Sequence, residues 1–216
     1  MKIAIIRSCD RDDLRAKLCY VTMLKHFVAD KYIFFHDVPE GKTQHNCPLI
    51  SEICGKFPQN TSFILRSFSD NFGGELNIIQ MLKDLTLLPT FEDASKIIFC
   101  DSDIIMLKNP FEIMPSRFHY GGICNDNVHI GEKYRHFSGQ FNIISGFLWK
   151  KYIAEGIEGY KERRRLLDKF SYSIADDSIL STFLWQNSVE PYNFVNDSCW
   201  LHHKITPEEY QKYLNL

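Results

Sequence analysis

The stretch KIIFCDSDII, residues 96–105, decides the predicted fold of this chain. Its first five residues are mostly apolar and β-branched, which predicts a buried strand. Asp101 and Asp103 follow directly, and residues two apart share one face wherever a strand continues. In open α/β sheets, ligands bind beyond the carboxyl ends of the strands. The stretch therefore predicts a ligand site built on these two carboxylates.

A divalent cation is the ligand that two neighbouring carboxylates favour. Two carboxylates at the end of a buried strand repel each other and resist desolvation. A hard cation such as Mn²⁺ or Mg²⁺ removes both costs and keeps open positions for phosphate oxygens. The alternative is an acidic turn in which Asp101 and Asp103 only cap the local backbone.

Outward from this stretch, strand patterns alternate with helical patterns along most of the chain. This alternation predicts an α/β fold whose central sheet is mainly parallel and flanked by helices. The polar stretch 125–138 is predicted to be a loop that faces substrate. The predicted strands are 2–7, 31–36, 62–67, 96–100, 119–124, 141–150, 189–195 and 199–203, and the predicted helices are 14–28, 76–88, 153–170, 176–186 and a last one after Thr206.

Composition excludes some classes of function. The chain has 216 residues and a net charge of −2, so it has no basic surplus for a nucleic-acid backbone, and no nucleic-acid partner is expected. Its seven cysteines form no CxxC pair, which is typical of a reduced, intracellular protein, and a cytoplasmic location is expected. Neither a signal peptide nor a transmembrane segment is expected.

The aspartate stretch and its continuation to Asn109-Pro110 resemble the DxD strand of GT-A glycosyltransferases. Three later segments resemble family 8 of these enzymes, in the same order along the chain. Residues 141–150 are similar to the acceptor-side F-N-S-G segment, although two Ile separate the Asn from the Ser-Gly. Residues 175–180 are similar to the D-Q-D segment. Residues 200–204 are similar to the late H-x-x-G-x-x-K-P segment, without its Gly and Pro.

This resemblance implies one GT-A (Rossmann-like) domain over residues 1–216, similar to compact viral glycosyltransferase domains. Residues 1–110 would form the nucleotide-binding half and residues 111–216 the acceptor-side half. The implied reaction moves a hexose from a nucleotide-sugar, most simply a UDP-sugar, to a glycan or glycoprotein acceptor. Neither inversion nor retention at the sugar is implied.

The resemblance also assigns roles to individual residues. Mn²⁺ (or Mg²⁺) would be bound by Asp101, Asp103 and His202, with His203 as the alternate for His202. Asp176 and Asp177 would lie nearest the transferred sugar, where one acts as a base on the acceptor or holds donor hydroxyls; helix capping is the simpler role for both. The residues implied in donor binding are Arg7, Ser8, Asp10, Arg11, Arg66, Asp101, Ser102 and Lys204.

Three other classes of protein would use similar features. A haloacid-dehalogenase-like phosphatase also places D-x-D after a strand, and Asp101 would then be its nucleophile. Its motif usually lies near the N-terminus and has Thr or Val where Ile105 stands here. A nucleotidyltransferase would have a Gly-rich phosphate loop, but residues 7–13 contain no Gly. A non-catalytic sugar- or protein-binding module would need no paired carboxylates.

Overall fold

A computed structural model describes most of the secondary structure around the aspartate stretch. The described residues are 1–9, 13–26, 29–39, 61–68, 95–130, 134–169, 176–195, 197, 200–202 and 212. The predicted helices at 76–88 and after Thr206 lie outside these residues, as do Asp10, Arg11, His203 and Lys204.

The described elements follow the predicted alternation of strands and helices. The strands are β1 (Lys2–Cys9), β2 (Lys31–Pro39), β3 (Thr61–Phe68), β4 (Lys96–Asp101), β5 (Ile104–Met106), β6 (Tyr120–Ile130), β7 (Tyr134–Ser145), β8 (Pro191–Asn193) and β9 (Trp200–His202). The helices are α1 (Asp13–His26), α2 (Pro110–Ile113), α3 (Gly146–Lys169) and α4 (Asp176–Gln186).

Seven of the strands form one central sheet in the order β3-β2-β1-β4-β7-β6-β8. Strands β3, β2, β1 and β4 are parallel to one another, and β6 is parallel to β8. Within this seven-stranded sheet, β7 runs antiparallel to both of its neighbours, β4 and β6. The prediction of a mainly parallel α/β sheet flanked by helices is therefore confirmed.

Each face of the sheet packs against a different set of helices. Alternate residues of the central strands, such as Ile6 and Cys100, share one core with Cys19 and Tyr20 of α1. The residues between them, such as Phe99, share a second core with side chains of α3 and α4. Strand β4 is thus covered on both faces, as its continuous apolar run predicts.

The structure corrects two predicted elements. The predicted loop at 125–138 is wrong, because β6 and β7 continue as an antiparallel pair in which Asn125 pairs with His136. Backbone hydrogen bonds stabilise this pair without an apolar pattern. The predicted strand at 141–150 ends at Ser145, whose Oγ accepts a hydrogen bond from the Leu148 N–H at 3.3 Å. This bond caps α3 and begins a helix inside an apolar run.

Helices α3 and α4 are joined by a buried cation. Arg163 is 3% exposed and forms an ion pair with Glu155 one helix segment earlier. Its guanidinium lies 5.4 Å from the ring centroids of Tyr152 in α3 and Phe183 in α4. These contacts fix the position of α4 against α3. None of the described helices combines the length and the apolar character needed to cross a membrane.

The aromatic contact between these helices predicts a large loss of stability. Phe183 is fully buried and its ring centroid lies 4.8 Å from that of Tyr152. Phe183→Ala should lower the free energy of unfolding by about 3–5 kcal/mol in urea denaturation. The matched control is Phe147→Ala, because Phe147 is 73% exposed, and it should change stability by less than about 0.5 kcal/mol. Equal losses in the two variants would refute the described core.

Candidate functional site

The described parallel strands bring several predicted site residues to one edge of the sheet. Arg7, near the end of β1, is in register with Asp101 at the end of β4. Ser8 follows Arg7 in β1. Arg66 lies two strands away from β1, near the end of β3, where it pairs with Asp37. The carboxyl ends of these strands therefore form one edge, as expected for a ligand site of an open α/β sheet.

The two aspartates lie on either side of a tight turn at this edge. Strand β4 ends at Asp101 and β5 begins at Ile104, so Ser102 and Asp103 form the turn between them. Ser102 is buried, whereas Asp101 and Asp103 are half-buried. We refer to residues 101–103 as the DSD turn. Asp101 and Asp103 are thus partly accessible as residues, although Asp103 Oδ1 is a buried atom, and the centre of the turn lies inside the protein.

Strand β9 brings His202 to the DSD turn. It pairs antiparallel with β5, and in this register His202 lies opposite Ile104, the residue directly after Asp103. The two segments are far apart in the sequence, so their pairing is a tertiary feature. The backbone register thus brings together three residues that the resemblance implies as metal ligands. The side chain of His202 lies outside the described part of the structure.

The electrostatic environment beneath the turn is negative. Complete burial, followed by the hydrogen bond and charge of Cys19 and the charges of Asp101 and Asp103, raises the pKa of the Cys100 thiol well above its ordinary value. Cys100 therefore stays a neutral, packed thiol. Both carboxylates lie close enough to the end of β4 to disfavour a further negative charge there.

The direction of α4 takes Asp176 and Asp177 toward the same edge. Ser181 Oγ in α4 accepts a hydrogen bond of 3.0 Å from the Phe137 N–H. Phe137 lies on β7 beyond the residues that pair with β4, at the end of the sheet where Asp101 lies. After the carboxyl-terminal end of α4, the chain continues to Pro191, which pairs with Tyr120 at the opposite edge of the sheet from the DSD turn. The helix therefore runs away from the DSD turn. Asp176 begins α4, about 7 Å beyond Ser181 at 1.5 Å per residue.

Asp101 and α4 also lie on the same side of the sheet. Side chains alternate between faces along a strand, so Asp101 shares the face of Phe99. Phe99 belongs to the core formed with α3 and α4. The amino-terminal end of α4 and the first carboxylate of the DSD turn are therefore on one face and at one edge. The side chains of Asp176 and Asp177 lie outside the described part.

The structure adds a feature that sequence reasoning missed, a bulge of β7 beside Asp101. Gly122 pairs with Asn142 but Cys124 pairs with Phe137, so β7 carries extra residues between these two pairs. Cys100 pairs with Phe141, which puts half-buried Gln140 next to Asp101 across the strands. Bulges commonly redirect side chains at active sites. Gly139 inside a strand pattern was the available signal.

The donor set of this edge fits a hard divalent cation. Carboxylate oxygens are the preferred ligands of Mg²⁺ and Mn²⁺, and an imidazole suits Mn²⁺ as a further ligand. Among the described side chains, no group of three or more His, Cys, Asp or Glu converges on one point. The backbone of His202, the third metal ligand that the resemblance implies, lies in register beside the DSD turn.

Comparisons with known proteins identify the fold. No protein-family model matches the sequence, and no curated protein is detectably similar to it. The structure of the galactosyltransferase LgtC in complex with donor and acceptor sugar analogues matches with a TM-score of 0.60 at 14% identity, covering 90% of this chain and 74% of that one. An active-site mutant of LgtC matches with a TM-score of 0.54 at 14% identity, covering 83% and 69%. The chain has the GT-A fold, as predicted.

The contact between α4 and the β7 bulge predicts a measurable stability loss. Ser181 Oγ receives the Phe137 N–H and donates to the Phe137 carbonyl at 3.5 Å, and both residues are buried. Ser181→Ala leaves these backbone groups unpaired and should cost about 1–3 kcal/mol in urea denaturation. Ser116→Ala is the control, because Ser116 is exposed. Faster hydrogen exchange at the Phe137 amide should accompany the loss; unchanged exchange would contradict this contact.

Proposed function

We propose that this protein is a metal-dependent glycosyltransferase that moves a hexose from a UDP-sugar to a glycan or glycoprotein acceptor. The observation that carries the proposal is the DSD turn at the carboxyl edge of β4, with His202 in register beside it. It occurs in a chain whose fold matches that of a galactosyltransferase over 90% of its length. A site of this composition suits the diphosphate of a nucleotide-sugar.

Asp101, Asp103 and His202 are the residues that would hold Mn²⁺ or Mg²⁺. A bound cation of this kind neutralises the negative charge that develops on a leaving diphosphate. The residues of the chain would hold this cation in position. Ser102 is buried within the turn, and Asp101 and Asp103 are half-buried residues. In this proposal phosphate oxygens would complete the coordination of the cation. His203 is the alternate for His202 in this proposal.

The donor nucleotide would lie along the ends of β1 and β3. Arg7 and Ser8 are at the end of β1, and the backbone of Arg7 is next to Asp101. Guanidinium groups bind phosphate and bases by paired hydrogen bonds, which makes Arg7 and Arg66 suitable for these roles. Further donor contacts are proposed for Asp10, Arg11, Ser102 and Lys204, of which Asp10, Arg11 and Lys204 lie outside the described residues.

Asp176 and Asp177 are proposed as the groups nearest the transferred sugar. The direction of α4 and the shared face with Asp101 support this role. One carboxylate would accept a proton from the acceptor hydroxyl in an inverting enzyme, or hold donor hydroxyls in a retaining one. The acceptor would enter from residues 111–216, where the β7 bulge borders Asp101, and the nucleotide from residues 1–110.

The three cysteines whose side chains are described support an intracellular location for this activity. Cys19, Cys100 and Cys124 are buried free thiols, and the sulfur atoms of Cys19 and Cys100 are 3.9 Å apart without a bond between them. Free thiols persist in reducing compartments. We propose a cytoplasmic enzyme on this basis.

The phosphatase alternative gains no support from the fold. The two matching structures described above are both of the galactosyltransferase LgtC. In the phosphatase, Asp101 would attack phosphate directly and nucleotide binding would be unnecessary. Activity toward p-nitrophenyl phosphate that is lost in Asp101→Asn, without UDP binding, is the result that would favour it.

Binding of UDP tests the proposed metal and nucleotide site. Calorimetric titration of UDP should show tight binding with Mn²⁺ and weak binding without it. Asp103→Asn keeps the side-chain shape but removes the charge. It should reduce Mn²⁺-dependent binding by more than the roughly 10- to 100-fold typical of losing an outer-shell partner of a metal.

The matched control for this titration is Asp168→Asn. Asp168 is an exposed carboxylate of α3, far along the sequence from the DSD turn. It should leave UDP affinity unchanged. Tight UDP binding by Asp103→Asn in the presence of Mn²⁺ would exclude the proposed metal site. Binding of GDP or dTDP in place of UDP would retain the reaction class and change the donor.

Turnover tests the role of the α4 carboxylates separately. Asp176→Asn or Asp177→Asn should lower transfer from a UDP-sugar identified by screening by about 100-fold or more, because a positioned acid–base group contributes at least that much. UDP affinity should stay near that of the parent protein, because UDP lacks the sugar. Radiolabelled sugar transfer measures the first quantity and calorimetry the second. If both variants kept full turnover, a catalytic role for Asp176 and Asp177 would be excluded, and helix capping would be their remaining role.

A further inference from the structure

Helix α1 contacts the backbone on both sides of the DSD turn. Thr22 Oγ1 accepts a hydrogen bond from the Met106 N–H at 3.0 Å, in the strand that leaves the turn. Cys19 Sγ donates to the carbonyl of Asp101 at 3.8 Å, at the strand that enters it. Residues three apart lie on one face of a helix. One face of α1 therefore fixes the entrance and the exit of the turn together.

The hydroxyl of Thr22 has a fixed orientation, because it both donates and accepts hydrogen bonds. Thr22 is 4% exposed, and its hydroxyl proton is donated to the helix carbonyls of Leu18 and Cys19 at 2.9 and 3.1 Å. This donation points a lone pair outward to Met106. A threonine inside a helix forms such bonds at little benefit to the helix itself. Its distinctive contribution is the contact with β5.

The contact fixes more than one candidate ligand. Strand β5 contains only Ile104–Met106, and one of its edges pairs with β9. Because the Met106 N–H points to Thr22, it faces away from β9. Thr22 thus secures the edge of β5 that β9 leaves open. Displacement of β5 would move Asp103 at its start and His202 opposite it at the same time.

We propose that Thr22 is a positioning residue for the site at the DSD turn, acting through the backbone of β5. This inference rests on the proposed function, which supplies the ligand, Mn²⁺. The hydrogen bond from the Met106 N–H to Thr22, which we call the Thr22 brace, is present in the protein without a ligand. Outer-shell partners that orient metal ligands typically change metal affinity by about 10- to 100-fold when removed. Thr22 acts on the ligands indirectly, through the backbone of β5. We therefore expect a change in Mn²⁺ affinity near the lower end of this range.

The test compares three variants of the full chain. Thr22→Val keeps the branched shape but removes the acceptor. Thr22→Ser keeps the hydroxyl. Tyr20→Phe is the matched control: it removes the 2.9 Å hydrogen bond between the same helix and Thr61 at the start of β3. Mn²⁺ affinity is measured by electron paramagnetic resonance of free Mn²⁺, with thermal unfolding of each protein in the same buffer.

The expected result separates position from general stability. Thr22→Val should bind Mn²⁺ about 10-fold more weakly, Thr22→Ser should recover most of the affinity, and Tyr20→Phe should bind like the parent even if its melting temperature falls. Parent-like Mn²⁺ affinity in Thr22→Val would overturn the proposal. Equal losses of affinity in Thr22→Val and Tyr20→Phe would also overturn it, because the effect would then follow stability.

Hydrogen exchange distinguishes failure of this proposal from failure of the proposed function. In metal-free protein, the amides of residues 104–106 and 200–202 should exchange faster in Thr22→Val than in the parent or in Tyr20→Phe. If the parent protein binds no Mn²⁺, the proposed metal-dependent function is wrong. The exchange pattern alone then shows whether Thr22 holds β5 in place. Unchanged exchange in Thr22→Val would overturn the brace even if Mn²⁺ binds.

Discussion

The pairing of β4 between β1 and β7 is the constraint on which the rest of the structure depends. Parallel pairing with β1 puts Arg7 beside Asp101, and antiparallel pairing with β7 puts the bulge on the other side of the same residue. Apolar side chains cover β4 on both faces. The carboxylates come at the point where this apolar cover ends. Two negative charges can be tolerated there because their field is open to solvent or to a cation on one side.

The sequence predicted those parts of the fold that depend on local pattern. The apolar run of 96–100 predicts β4, and helical spacing predicts α4 with its first residue at Asp176. Where a short polar signal overrides an apolar run, pattern reasoning fails. Ser145 begins α3 inside such a run through one hydrogen bond to Leu148. The β6–β7 pair fails in the opposite way, since its polar residues are joined by backbone bonds that side-chain patterns do not report.

The candidate site was predictable in its chemistry but not in its assembly. Asp101 and Asp103 are separated by one residue in the sequence, so their proximity needs no tertiary information. The position of His202 depends on the register of β9 against β5, and that of Gln140 on the extra residues in β7. Register is a tertiary property, because a shift of one residue moves every side chain to the other face. The division into a nucleotide half and an acceptor half stays a prediction.

Two separate cores hold the two sides of this edge. The DSD turn is fixed from below by α1, through Thr22 and Cys19, in the core that also contains Cys100. The middle of α4 is fixed in the other core, through Ser181 and through Phe183, which contacts the buried Arg163. A sheet lies between these cores, and its strands β1, β2, β4 and β7 contribute side chains to both. Because Phe99 and Cys100 of β4 belong to different cores, substitutions on the two sides of the proposed site share this strand, and additive effects are expected only for pairs that are far apart and have no shared partner.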